Sequence, residues 1–283
     1  MPLKGVKGKV SIYRLIKWLG EIETPPNPFI WRSGITKAED FFGRDNEQSM
    51  LRAYLRGRQS CQIVGPRRIG KTSLLRQIER AASEWEENAV VAYLDLQDAQ
   101  CNTLSGWLGL VSRQFEWSTP AASLVKFSEG VDATLRKGLH PILCLDEFEA
   151  MTSRRAEFTD DFFLNLRSCG QRGMSIITAS RKSLSDLVKS GGLTSPFSNI
   201  VSPLKIGPFA NKDAEDFITI FRPGVESFMP EEKRTILEFS KGHPLALQVG
   251  CFHVVEAKQS RESLTAAMQK AADDVRASLP AGW

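Results

Sequence analysis

Residues 65–72 read Gly65-Pro66-Arg67-Arg68-Ile69-Gly70-Lys71-Thr72, and Ser73 follows. Two glycines bracketing four residues, then lysine and a hydroxyl, is the spacing of a phosphate-binding loop. The glycines let the backbone curl so that its N–H groups converge on an anion, and a following helix adds its positive end. Lys71 would reach the β- and γ-phosphates of a nucleoside triphosphate, and the Thr72 hydroxyl would ligate Mg²⁺. The second chemical feature is the run Ile142-Leu143-Cys144-Leu145-Asp146-Glu147. An apolar strand ending in two acids delivers carboxylates to the sheet edge where open α/β folds bind ligands. Asp146 would hold Mg²⁺ through water, and Glu147 would polarise an attacking water. A carboxylate placed this way suits hydrolysis rather than phosphoryl transfer to an acceptor.

These groups need a scaffold, and the hydrophobic pattern supplies one. Short apolar runs at 61–64, 90–96, 142–145, 174–179 and 200–206 predict strands. Between them lie helical spacings at 47–56, 72–82, 104–115 and 124–135. Strands alternating with helices predict an α/β fold, a parallel sheet covered on both faces. Beyond residue 208 the strand signals stop. Asn211 is a suitable N-cap, Pro230 and Pro244 suit helix first turns, and Gly242 suits a helix end. The expected organisation is a basic tail and linker over 1–30, a P-loop core over 31–207 and a small all-helical lid over 208–283.

Composition sets the class. With 42% hydrophobic and 25% charged residues the chain is an ordinary globular protein. No apolar run approaches the roughly 18–20 residues that cross a bilayer, so no membrane role is expected. Five cysteines without a C-x-x-C pair fit a reducing, cytoplasmic setting. His140, His243 and His253 lack metal-ligand spacing. The net charge of +4 is compatible with nucleic acid without requiring it. Lys4, Lys7, Lys9, Arg14 and Lys17 make the first twenty residues basic, with Ile12, Leu15, Ile16 and Leu19 at helical spacing. That tail reads as a solvated extension or as a contact for nucleic acid or another subunit. Asn211-Lys212-Asp213 is followed by Ala214, which breaks the guanine-reading N-K-x-D pattern. ATP is therefore the expected nucleotide.

Taken in order, these motifs resemble the STAND branch of AAA+-related P-loop ATPases, over residues 27–250. Asn27-Pro28-Phe29 followed by Phe42-Gly43-Arg44-x-x-Glu47 is similar to the family's segment ahead of the P-loop. The resemblance implies that Phe42, Gly43 and Arg44 lie near the adenine. Thr178-Ala179-Ser180-Arg181 resembles the family's strand-end motif, which implies that Arg181 senses the γ-phosphate. Ser195-Pro196-Phe197-x-Asn199 and Gly207-Pro208-Phe209 match segments that recur in the group. Gly242-x-Pro244-Leu245-Ala246-Leu247 resembles the lid motif, which implies that Pro244 packs near the nucleotide. Unlike many members, the 283 residues contain no sensor repeats and no effector domain.

The leading expectation is a Mg²⁺-dependent, ATP-hydrolysing switch that controls partner binding or self-association, binds ATP and ADP, and is reset by hydrolysis. One alternative is a DNA-associated helper ATPase, motivated by the tail and by Arg67, Arg68, Arg154 and Arg155. Another is a nucleotide-stabilised scaffold with negligible turnover.

Overall fold

The five apolar runs form five strands, and every pairing among them is parallel. The computed structural model describes residues 27–32, 40–190, 192, 194, 196–220, 222 and 226–279; the expected basic stretch over 1–20 lies outside them. In chain order the elements are α1 (Asp45–Arg56), β1 (Ser60–Val64), α2 (Lys71–Trp85), β2 (Ala89–Asp95), α3 (Leu104–Gln114), α4 (Leu124–Arg136), β3 (His140–Asp146), α5 (Glu149–Ser153), α6 (Asp160–Gln171), β4 (Ser175–Ser180), α7 (Leu184–Ser190) and β5 (Val201–Lys205). After β5, the described residues form only helices: α8 (Asn211–Thr219), α9 (Pro230–Ser240), α10 (Pro244–Ser260) and α11 (Leu264–Ser278). The sheet order is β2-β3-β4-β1-β5.

Helices on both faces of the parallel sheet bury its inner strands. All seven residues of β3 are buried, as expected of a strand covered on both faces. Leu143, Leu145 and Ile176 point into one core with Trp107 of α3, Phe127 of α4 and Phe162 of α6. Ile142, Cys144 and Ile177 point into the other, against Leu51 of α1 and Leu74 and Ile78 of α2. All five cysteines are free and buried.

Three features depart from the sequence expectations. Helices α5, α6 and α7 were not foreseen, although in α6 Phe162, Leu166 and Cys169 make a buried stripe at spacings of four and three. Asn211 is the first helical residue rather than the cap, which falls to Ala210 without a side-chain bond. Just ahead of α8 the Phe209 N–H donates to the Gly242 carbonyl at 2.8 Å. The boundary drawn at residue 30 also falls inside a packed stretch. Phe29 is 2% exposed between Phe217 and Phe228, and Asn27 Nδ2 donates to the Phe252 carbonyl at 2.9 Å. Burying a phenylalanine is worth roughly 1.5–3 kcal/mol, enough to tie 27–29 to the C-terminal helices.

Candidate nucleotide site

Parallel strands place their carboxyl ends on one edge. With β4 lying between β1 and β3, the loop leaving β1 and the acids ending β3 flank the end of β4. The loop is shaped by contacts as well as by glycine. A Cβ on Gly65 would stand 2.7 Å from the Ile206 carbonyl oxygen, so the backbone can pass β5 only without a side chain. Gly70 has φ 101°, a conformation L-residues avoid, and it caps α2. Ile69 is buried between them and anchors the loop in the core of α1 and α2.

Lys71 opens α2 and is 6% exposed. Its ammonium donates to the carbonyls of Gly65 at 3.0 Å and Pro66 at 2.8 Å. Burial lowers its pKa, and the charges of Glu147, Glu149 and Asp146 push it back up. A desolvated ammonium held by two neutral carbonyls is poised to exchange them for anionic oxygens, which make stronger charge-assisted bonds. Thr72 and the side chains of Arg67 and Arg68 are exposed.

Asp146 is 2% exposed. Its Oδ2 accepts from the Tyr93 hydroxyl at 3.0 Å, and its Oδ1 accepts from the Glu147 N–H at 2.9 Å. Burial and the neighbouring carboxylate raise the Tyr93 pKa, so the phenol stays a donor. Glu147 has φ 50°, a left-handed residue at the end of β3. Backbone held in this region costs of order 1–3 kcal/mol and recurs at functional sites. Burial, then the charges of Glu149 and Asp146, raise the Glu147 pKa, with Lys71 and Arg181 opposing.

A cleft of about 660 Å³ opens along this edge. One wall is the loop, from Arg67 to Ser73, with Glu147. The opposite wall is α10, through Pro244, Leu245 and Gln248. Trp31, Phe41 and Phe42 line the remainder, and Phe42 meets Phe209 and Phe217 edge-on at centroid distances of 6.3 and 5.6 Å. Burial lowers the pKa of His243, the residue before α10, and the nearby Arg67 backbone opposes that shift, which sets the helical region beside the loop.

The expected site residues are therefore distributed unevenly. Phe42, Arg44, Arg67, Arg68, Ile69, Gly70, Lys71, Thr72, Ser73, Glu147 and Pro244 line the cleft, whereas Gly43, Gly65, Pro66, Asp146 and Arg181 do not. Arg44 lines it with its guanidinium already engaged: it donates to the carbonyls of Ile69 at 3.0 Å and Gly207 at 2.6 Å, and pairs with Glu47 at 2.9 Å. Arg181 faces a separate cavity of about 420 Å³ beside α5 and α7. There its Nε lies 3.4 Å from Glu149 Oε1, and its N–H also donates to that oxygen. Sequence reasoning missed the Tyr93–Asp146 bond, the approach of His243 to the Arg67 backbone and the cleft positions of Trp31 and Gln248. No motif signals these, because each depends on side chains distant in sequence.

The donor set fits a magnesium nucleotide. The Lys71 ammonium faces the loop, and the nearby oxygens are a hydroxyl and carboxylates, the hard ligands Mg²⁺ prefers. Each Asp146 oxygen accepts one named hydrogen bond and keeps further lone-pair capacity.

The family model described as Novel STAND NTPase 2 matches residues 124–256. No curated protein matches the sequence. Similar solved structures include the ORC2 protein of Aeropyrum pernix in its ADPNP-ADP complexes, at 16% identity and a TM-score of 0.67, covering 89% of this chain and 72% of that one. A Walker-type ATPase of Pyrococcus abyssi aligns at 16% identity and TM-score 0.60, over 87% of this chain and 75% of that one. Domain III of the replication initiation protein DnaA from Thermotoga maritima aligns at 16% identity and TM-score 0.54, over 84% of this chain and 96% of that domain. At such identities the shared feature is the fold, a P-loop sheet with C-terminal helices.

Proposed function

We propose that this P-loop NTPase of the STAND/AAA+ type binds ATP with Mg²⁺, hydrolyses it slowly, and uses occupancy of the cleft to control a protein partner or its own assembly. The observation that carries the reading is the two-sided cleft. Its phosphate loop belongs to the sheet and its opposite wall to α10, so one ligand would touch both. A ligand bridging two units shifts the population toward their closed arrangement by its differential affinity for that arrangement. The contact between His243 and the Arg67 backbone gives the helices a second path to the loop.

In this reading Lys71 gives up the Gly65 and Pro66 carbonyls and neutralises phosphate charge. Thr72 and Asp146 would hold the Mg²⁺, which supplies electrostatic stabilisation of the phosphate oxygens. Glu147 orients a water and takes its proton on a carboxylate oxygen. Its raised pKa brings it closer to the working pH of a general base. Arg181 would have to leave Glu149 to reach a phosphate, so the pair holds it in reserve.

The test is ATP binding and phosphate release in Lys71→Ala and Glu147→Gln proteins. Lys71→Ala should lose affinity, and Glu147→Gln should keep affinity while losing turnover. Wild-type turnover in both variants overturns the site assignment. Tightly held nucleotide with background turnover in the wild type would instead favour a nucleotide-stabilised scaffold.

A DNA-associated role has one supporting observation, the fold shared with an ORC1 protein of Aeropyrum pernix whose structure is in complex with DNA. Two of the arginines that motivated it turn inward: Arg154 donates to the Leu96 carbonyl at 2.8 Å, and a buried nitrogen of Arg155 is likewise withdrawn from the surface. Arg67 and Arg68 remain exposed. A salt titration decides the matter, since phosphate contacts weaken steeply with salt. No binding at low salt, with or without ATP, removes this reading.

A further inference from the structure

Among the described residues that line the cleft, Gln248 alone has a buried side-chain polar atom without a hydrogen-bond partner. It sits one helical turn after Pro244 on α10 and lines the cleft with Pro244 and Leu245. Its Oε1 is buried and accepts no hydrogen bond from the described residues. A buried carbonyl oxygen without a donor is unfavourable, so such groups are kept for a reason. The surroundings narrow the reason. Leu245 belongs to an apolar cluster of α10 and α11, and Trp31 packs on that cluster. This wall suits a flat aromatic ligand rather than a phosphate.

The chemistry of the atom narrows it further. A carbonyl oxygen repels phosphate oxygens and needs a donor. Of the groups in ATP, the exocyclic 6-amino group is the donor that belongs to an aromatic surface. We infer that Gln248 is a specificity-determining residue whose side-chain oxygen accepts from the 6-amino group of adenine. The inference rests on the proposed ATP site. It also supplies what the missing N-K-x-D pattern leaves open, a positive reason for adenine over bases with a 6-oxo group. A site built to accept from an amine rejects a ligand that lacks one, because the acceptor is then buried unpaired.

The experiment compares the binding of ATP, purine riboside triphosphate, GTP and the two deoxy forms of ATP to the full chain. Purine riboside triphosphate lacks only the 6-amino group. Wild type should prefer ATP to it by on the order of tenfold, the worth of one buried hydrogen bond. Gln248→Leu should bind the two about equally. Because a carboxamide can also turn its NH₂ inward, Gln248→Glu is the second variant: a carboxylate only accepts, so the ATP preference should persist. A wild-type preference retained in Gln248→Leu overturns the inference. So does a Gln248→Leu effect confined to 2′- or 3′-deoxy-ATP, which would place the residue on the ribose. Failure of wild type to bind any of these triphosphates would instead overturn the ATP site itself.

Discussion

Removing the Arg44 side chain should destabilise the protein before any nucleotide is added. Arg44 is 6% exposed and sits at φ 66° at the head of α1. Its guanidinium ties the Ile69 carbonyl of the phosphate loop to the Gly207 carbonyl beyond β5. Hydrogen bonds from a charged group are each worth about 1.5–3 kcal/mol, so losing two costs about 3 kcal/mol at the low end. For a chain of this size that is a fall in Tm of about 6–12 °C. Arg44→Ala keeps the left-handed backbone with a Cβ, whereas Arg44→Gly relieves it by about 1 kcal/mol. Arg44→Gly should therefore melt about 2–4 °C above Arg44→Ala while remaining well below wild type. Thermal unfolding of the three nucleotide-free proteins reads both differences, and ATP binding should weaken in both variants as Ile69 loses its tether. An Arg44→Ala protein as stable as wild type, or an Arg44→Gly protein less stable than Arg44→Ala, refutes the reasoning. The first result would leave Arg44 free to serve the nucleotide directly.

Three further outcomes are expected. The Glu147 pKa is raised in the folded state, so its contribution is fully present below the ordinary carboxyl range and is lost as pH rises through the folded value. Glu147→Gln should accordingly melt above wild type at neutral pH and converge with it toward about pH 4, the range of an unperturbed carboxyl; a pH-independent gap in Tm contradicts this. Gly65→Ala should destabilise the fold and weaken ATP binding, because the new methyl would sit 2.7 Å from the Ile206 carbonyl oxygen; an unchanged melting curve rules out that close contact. Burial lowers the His140 pKa from 6.5 to about 4. Its depressed value means that the folded state gives up stability as pH falls from the unfolded pKa through the folded one, about 3 kcal/mol in all. Urea unfolding between pH 7 and pH 4 should show this loss, reduced in His140→Gln, and an equal acid dependence in both proteins would assign it to other groups.

The local features of the site were legible because local chemistry dictates them. The glycines of the loop and a helix over 72–82 are read from the sequence alone, and the acids 146 and 147 follow an apolar run that no solvated loop would carry. The all-helical character of the residues after β5 was visible for the same reason, in prolines at helix starts and glycine at an end. Contact between distant residues was not visible. Arg44 reads as a ligand by position, yet its guanidinium is taken up by two backbone carbonyls, one of them 163 residues away. Arg181 follows β4 as expected, yet Glu149 draws it toward a different cavity.

The sequence by itself thus determined a phosphate loop, an acidic strand end and the alternation that makes a parallel sheet. These depend on spacing, backbone conformation and hydrophobic period, which are properties of neighbours along the chain. Only the tertiary structure decided that α10 closes the cleft opposite the loop, that Tyr93 holds Asp146, and that Gln248 keeps a buried oxygen at the wall. Those facts depend on strand order and helix packing, which bring together side chains that no local pattern relates.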